Sequence, residues 1–203
     1  MEMLQIVHPE TGADTGEIMP RADAIARGAW CRSTNVFVLN PQGEVLCHKR
    51  SAGKERLPGV WSTHLGGHVA VGETYEANAR KELAEESGID PGAAPLLPWR
   101  TTRIDGARLW AREFVTLCGS DAGALAPQPG EVDEFRWMPP DLILRLAAVD
   151  PEGWCAGTHD FRTEYWCMRS VLTSAGATGA MAVPKKLEIW HPGFLVPNTG
   201  FAG

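Results

Sequence analysis

Apolar and polar positions along this 203-residue chain sort into short strands separated by turn signals, with helical segments in four places. Residues 4–7 read as a short strand and His8-Pro9-Glu10-Thr11-Gly12 as a turn. Residues 16–19 then return as the second strand of a hairpin. Residues 21–28 form a short helix ending at Gly28. Asn35-Val36-Phe37-Val38-Leu39 is a strand, Asn40-Pro41-Gln42-Gly43 a turn, and residues 44–49 pair back in a second hairpin. Residues 50–66 are a loop rich in Gly, Pro and basic side chains, carrying Arg50, Lys54, Arg56 and Trp61. A helix follows over residues 74–87, with Ala79 and Leu83 four apart on its buried stripe and Gly88 as its stop. Residues 90–99 are a Pro/Ala/Gly-rich connector, 109–117 a long strand, 121–130 a loop and 134–138 another strand. Pro140-Asp141 opens a helix through residue 148. His159-Asp160 opens another through residue 172, with Asp160 as N-cap. The segment 1–173 is thus expected to be one domain, and 174–203 a linker and C-terminal tail. The tail's Leu187, Ile189, Trp190, Phe194 and Leu195 suit packing on the domain or on the partner subunit of a homodimer, and equally a loosely ordered end.

The composition is 44% hydrophobic and 22% charged, that of a globular protein with a sizeable core. A formal charge of −6 offers no basic footprint for nucleic acid or for an anionic membrane, so neither is expected as a partner. Five cysteines without a Cys-x-x-Cys pair do not make a disulfide framework. Cys47 and Cys118 lie in apolar strands and read as core. Reduced thiols, no apolar run near 18 residues and no leader pattern at the N-terminus give a cytoplasmic expectation.

The chemistry concentrates in Gly67-His68-Val69-Ala70-Val71-Gly72-Glu73 and Lys81-Glu82-Leu83-Ala84-Glu85-Glu86-Ser87-Gly88-Ile89. Helical spacing puts Glu82, Glu85 and Glu86 on one face. Such a cluster repels itself by a few tenths of a kcal/mol per pair, roughly, on a bare helix. It reads either as a solvated face partly neutralised by Arg80 and Lys81, or as a site for a hard divalent cation. The glycine turn ahead of the helix favours the cation. Gly66-Gly67 can turn a backbone carbonyl toward the cluster, and Mg2+ suits carboxylates plus a carbonyl.

This stretch resembles the Nudix box, Gly-x5-Glu-x7-Arg-Glu-U-x-Glu-Glu-x-Gly-U with U aliphatic. Gly67, Glu73, Glu82, Leu83, Glu85, Glu86, Gly88 and Ile89 are all in register, and Lys81 stands at the arginine position. The resemblance implies a Nudix-type α/β/α sandwich with a mixed sheet over about residues 30–150, flanked by the N-terminal hairpin and the C-terminal helix and tail. It implies Mg2+ or Mn2+ held by Glu82, Glu85, Glu86 and the Gly66 carbonyl, with Glu73 orienting the cluster or reaching the metal through water. A later acidic residue often completes the family's site. Glu131, Asp133 and Glu134 are candidates, Glu131 being preferred over its reading as a solvated loop residue. The implied reaction is metal-assisted attack of water on a diphosphate linkage in a nucleoside diphosphate derivative or related small molecule. Glu85 is the base ahead of Glu131. Lysine at position 81 keeps the charge but loses the bidentate fork, and Arg80 points about 100° away on the helix.

The preceding Lys54-x-x-x-Pro58-Gly59-x-Trp61 loop is similar to the branch containing isopentenyl-diphosphate isomerases and related hydrolases. The reactive cysteine those isomerases carry just after this loop is absent, with Gly66 in its place, which favours hydrolysis over isomerisation. A ligand-binding module without turnover is the third reading, favoured by Lys81. Arg50 and Lys54 suit substrate phosphates or a solvated loop, and Trp61 a stacking platform. His64 and His68 suit metal or substrate contact, or a structural hydrogen-bonded role.

Overall fold

The computed structural model describes residues 1–177 apart from 55, 94, 156–157 and 159–160. Its elements are β1 (Met3–Val7), β2 (Asp14–Pro20), α1 (Arg21–Arg27), β3 (Cys31–Leu39), β4 (Val45–Arg50), β5 (Trp61–Ser62), α2 (Tyr75–Ser87), β6 (Leu97–Ile104), β7 (Leu109–Leu117), β8 (Val132–Met138), α3 (Pro140–Val149) and α4 (Phe161–Ser174). β1 and β2 form a separate antiparallel hairpin. The main sheet runs β5-β4-β3-β7-β6, with β8 also pairing β4. It is mixed, because β3 runs parallel to β7 while the β4–β8, β4–β5 and β6–β7 pairs are antiparallel.

Alternation along β3 explains the three layers. Phe37 and Leu39 face a core shared with Tyr165, Met168 and Leu172 of α4 and Ile143 of α3. Val36 and Val38 face the opposite core, under Ala79 and Leu83 of α2. A strand buried on both faces has no polar side to spare, as this run shows. The expected α/β/α sandwich with a mixed sheet is therefore the observed architecture. A third small core of Leu4, Ile6, Ala24 and Cys31 seats the N-terminal hairpin and α1.

β3 and β4 meet in register at their hairpin end, Leu39 against Val45. Beyond it the chain after β5 docks on β3 instead. Val36 and Leu65 exchange hydrogen bonds of 2.7 and 3.0 Å, Thr34 N–H donates to Gly67 at 2.9 Å, and Val69 N–H donates to Arg32 at 3.0 Å. The glycine turn is thereby fixed to a buried strand before α2 begins.

Several boundaries differ from expectation. The expected connector 90–99 ends in β6, which continues to Ile104. β6 is an edge strand with none of its positions fully buried and Pro98 at a register shift, so it needs little apolar patterning. β3 begins at Cys31, β2 at Asp14 and β8 at Val132, each earlier than expected, and the 50–66 loop contains β5. α4 extends to Ser174; the expected N-cap Asp160 and most of the linker and tail lie outside the described residues. Cys47 is buried, as a core thiol should be, while Cys118 is half-buried at the edge of the α2-side core.

α4 is locked over the β3–β4 turn by the fully buried Tyr165, whose hydroxyl donates to the Gly43 carbonyl at 2.7 Å. Tyr165→Phe is expected to cost about 1 kcal/mol in urea unfolding, the penalty for leaving that carbonyl unpaired, with catalysis unchanged. An unaltered midpoint would show that water replaces the hydroxyl.

Candidate active site

α2 carries the chemistry, and its start is well determined. Thr74 caps it, its side chain accepting from Ala77 N–H at 3.1 Å, and Gly88 ends it in the left-handed conformation. Buried Asn78 ties the helix to the glycine turn. It meets the Thr34 hydroxyl at 2.5 Å and donates to the His68 carbonyl at 2.9 Å and the Glu73 carboxylate at 3.1 Å. The local pattern around Asn78 hid this role, because its partners lie on another strand and in the preceding loop.

Glu82, Glu85 and Glu86 line one cavity of about 430 Å³, together with Gly66, Gly67, Arg50, Lys54, Lys81 and Glu131. Glu86 is 4% exposed and accepts from Gly66 N–H at 2.7 Å. Burial, reinforced by Glu82 and resisted by that hydrogen bond, pushes its carboxyl up to about 7. Glu82 is likewise pushed up to about 7, by burial and then by Glu85 against the pull of Lys81. Among the described residues no hydrogen bond or ion pair engages the Glu85 carboxylate. Glu131 is ion-paired with Lys54.

Lys81 occupies the place the box arginine would take. Its ammonium sits 3.0 Å from one Glu73 oxygen and 3.8 Å from Glu82. Glu73 also accepts from Ala70 N–H, so it anchors Lys81 and the turn rather than lining the cavity. Arg80 faces away, bonding Glu76 and the Pro91 carbonyl.

The sequence-predicted residues separate here. Arg50 and Lys54 line the cavity, and Arg50 also braces the loop by donating to the carbonyls of Arg56 and Leu57. Trp61 does not line it. Its ring stacks on Trp154 at 6.0 Å under the Arg136 guanidinium at 5.1 Å, which corrects its expected role as a platform in this cavity. Its position as the first residue of β5 against β4 turns it toward the α4-side core. Conversely, Cys155 and Ser62 do line the cavity, as do Glu2 and Arg21 from the N-terminal segment. No spacing rule links these to the box. Asp133 instead accepts from Ala52 N–H, and Glu134 pairs with Arg136.

Three histidines crowd the same region. His48, 1% exposed with neither ring nitrogen hydrogen-bonded among the described residues, is held down to about 3 by burial and then by His64, Arg50 and Lys54. Burial also lowers His64 and His68 to about 4. A histidine depressed in the folded state leaves stability intact above its unfolded value near 6.5 and removes it as pH falls toward 3. Across pH 4.5–7 the raised Glu82 and Glu86 act in the opposite sense, since the folded protein then binds their protons more readily. His48→Leu is therefore expected to move the acid-unfolding midpoint to lower pH, read by circular dichroism. An unmoved midpoint would mean the imidazole is protonated in the fold.

The donor chemistry fits a hard divalent cation. Carboxylates line one cavity, burial pushes two of them up to about 7, and the Gly66 carbonyl accepts no hydrogen bond among the described residues. As placed, no three His, Cys, Asp or Glu side chains among the described residues already converge to a metal shell, so side-chain rotation would have to complete one.

A NUDIX domain model matches residues 29–154. The chain belongs to the Nudix family. A Nudix hydrolase of Pseudomonas aeruginosa is 37% identical over 135 residues, covering 66% of this chain and 77% of that protein. An isopentenyl-diphosphate Delta-isomerase of Nocardia farcinica is 33% identical over 122 residues, 59% of this chain and 70% of the relative. Among solved structures, a Deinococcus radiodurans protein superposes with a TM-score of 0.60 at 29% identity, over 72% of this chain and 90% of its own. These relatives support hydrolysis of a pyrophosphate linkage as the general reaction class of this Nudix protein. Among the described residues no helix is long and apolar enough to cross a membrane.

Proposed function

We propose that this Nudix protein is a metal-dependent hydrolase of a diphosphate linkage in a nucleoside diphosphate derivative or related small organic diphosphate. The observation that carries the reading is the meeting of Glu82, Glu85 and Glu86 with Arg50 and Lys54 in one cavity. Glu82, Glu85, Glu86 and the Gly66 carbonyl would hold Mg2+ or Mn2+, which when bound neutralises phosphoryl charge and lowers the pKa of water. The protein's own part is positioning and proton transfer. Arg50 orients the diphosphate as a planar donor. Glu85, free of hydrogen bonds and ion pairs among the described residues, takes the proton from the attacking water. Glu131, already committed to Lys54, is the less suited base. Lys81 holds Glu82 from the side through its anchor on Glu73.

The test is a panel of organic diphosphates assayed with Mg2+ or Mn2+ in 18O-labelled water. The expected result is two phosphate-bearing products with label on one of them, abolished by chelator. No turnover of any member would overturn the reading. A second reading, rearrangement of a prenyl diphosphate, is favoured by the Cys155 thiol in the cavity wall and by the isomerase relatives. It predicts an isomeric product that keeps its diphosphate. Tight binding of a panel member without product would instead point to a ligand-binding module.

A further inference from the structure

The catalytic cavity does not end at the diphosphate site. It shares Arg56, His68, Ala107 and Leu109 with a second cavity of about 490 Å³, bounded by α1 and the turn after β6. Arg27 and Arg108 line that second cavity. In a protein of net charge −6, such convergence of arginines on one cleft is a local reversal of sign.

Most cations around the catalytic cavity are already neutralised: Arg21 by Glu2, Lys54 by Glu131 and Lys81 by Glu73. Arg27 is paired with Glu17. Arg56 differs. Among the described residues no hydrogen bond or ion pair engages its guanidinium, and its carbonyl serves only to receive Arg50. Arg108 donates to the Gly28 carbonyl, an uncharged partner, so its charge also stands without an anion among the described residues. The same cleft is also lined by Leu109, Ala107 and Cys31, apolar surface that a polyanion alone would not need.

We propose that Arg56 and Arg108 form a second anion subsite, which takes a phosphomonoester on the part of the substrate beyond the hydrolysed diphosphate. The proposal rests on the hydrolase reading and narrows its substrate class to diphosphates that carry a further phosphate across an apolar spacer. Guanidinium is suited to this, since its fork meets phosphate oxygens in pairs. The two joined cavities have the size of ordinary small-ligand sites. α1 thereby acquires a role, walling a specificity pocket beside the box.

Matched substrates test this: coenzyme A against dephospho-coenzyme A, and NADP against NAD, each pair differing by one phosphomonoester. Affinity is measured by calorimetry on the metal-free protein with chelator present, and turnover separately with Mn2+. The phosphorylated member of at least one pair is expected to bind tenfold tighter or more. Arg56→Ala should erase that difference by weakening the phosphorylated member the more, and Arg56→Lys should restore part of it. Arg56 is exposed and unpartnered among the described residues, so its replacement leaves the fold intact, which the thermal midpoint checks. Equal affinities within both pairs would sink the subsite even if both members are hydrolysed. A binding difference erased by Arg56→Ala, with turnover of no member, would keep the subsite and sink the hydrolase reading.

Discussion

Turnover in Glu86→Gln is expected to fall by roughly 10²–10³-fold or more, while the metal-free variant unfolds at a higher temperature than the parent at pH 8. The two effects share one cause. Glu86 is nearly inaccessible and sits beside Glu82, so its ionised form lacks water and meets a like charge, which outweigh the pull of Arg50 and Lys54. Its folded value, about 7, lies above the ordinary 4.5 of a free carboxyl. Stability from a raised carboxylate is fully present below the unfolded value and is lost as pH rises through the folded one. At pH 8 the ionised side chain therefore costs the metal-free protein about 1–3 kcal/mol, shared with Glu82. Glutamine has the same shape, still accepts from Gly66 N–H and carries no charge. Removing the charge recovers the cost and also removes an anionic ligand, so added Mn2+ should raise the parent's thermal midpoint far more than the variant's. At a hundredfold excess over Kd that rise corresponds to about 2.7 kcal/mol. Near pH 4.5, where the parent carboxyl is protonated, the two midpoints should converge. Undiminished turnover, or a variant less stable than the parent at pH 8, would refute this account of the cluster.

Much of this centre could be read along the chain because one helix carries it. Glu82, Glu85 and Glu86 reach a common cavity by the 3.6-residue period, and that period is written in their numbering. The apolar runs of β3 and β4 and the stop at Gly88 are local features of the same kind. What escaped reading depends on pairings between distant segments. β6 became a strand because β7 offers it an edge, not through its own Leu97-Pro98-Trp99-Arg100 pattern. Cys155 enters the cavity from a loop more than sixty residues past α2, through the hydrogen bond of its N–H to the Trp61 carbonyl. The same strip, Trp61 beside Trp154, draws the indole out of the cavity and into the α4-side core. Lys81 shows a partial case. Its charge was legible, but not that Glu73 and Glu82 would both lie within reach of one ammonium.

The adjacent glycines of the turn should respond to the same substitution in different ways, and that contrast tests how the turn builds the site. At Gly66, which has φ of 154°, an added Cβ would lie 1.9 Å from the Thr34 carbonyl oxygen and 3.2 Å from the Asn35 Cα. Both are backbone atoms of buried β3, held there by the Val36–Leu65 exchange, and neither can yield without breaking the strand's pairing. Gly66→Ala is expected to cost about 3–5 kcal/mol in urea unfolding and to abolish activity, because the N–H that orients Glu86 moves with the turn. At Gly67 the added Cβ would meet Glu82, 2.5 Å from one carboxylate oxygen and 2.7 Å from its carbon. That obstacle is the far end of a flexible side chain and rotates aside, so Gly67→Ala should cost no more than about 1 kcal/mol of stability. Its damage should appear in function instead, as a tenfold or greater loss of kcat and of Mn2+ affinity, since Glu82 leaves the position in which Lys81 holds it. A stable, active Gly66→Ala protein would show that β3 does not fix the turn. A Gly67→Ala protein with unchanged Mn2+ affinity would show that Glu82 is no ligand.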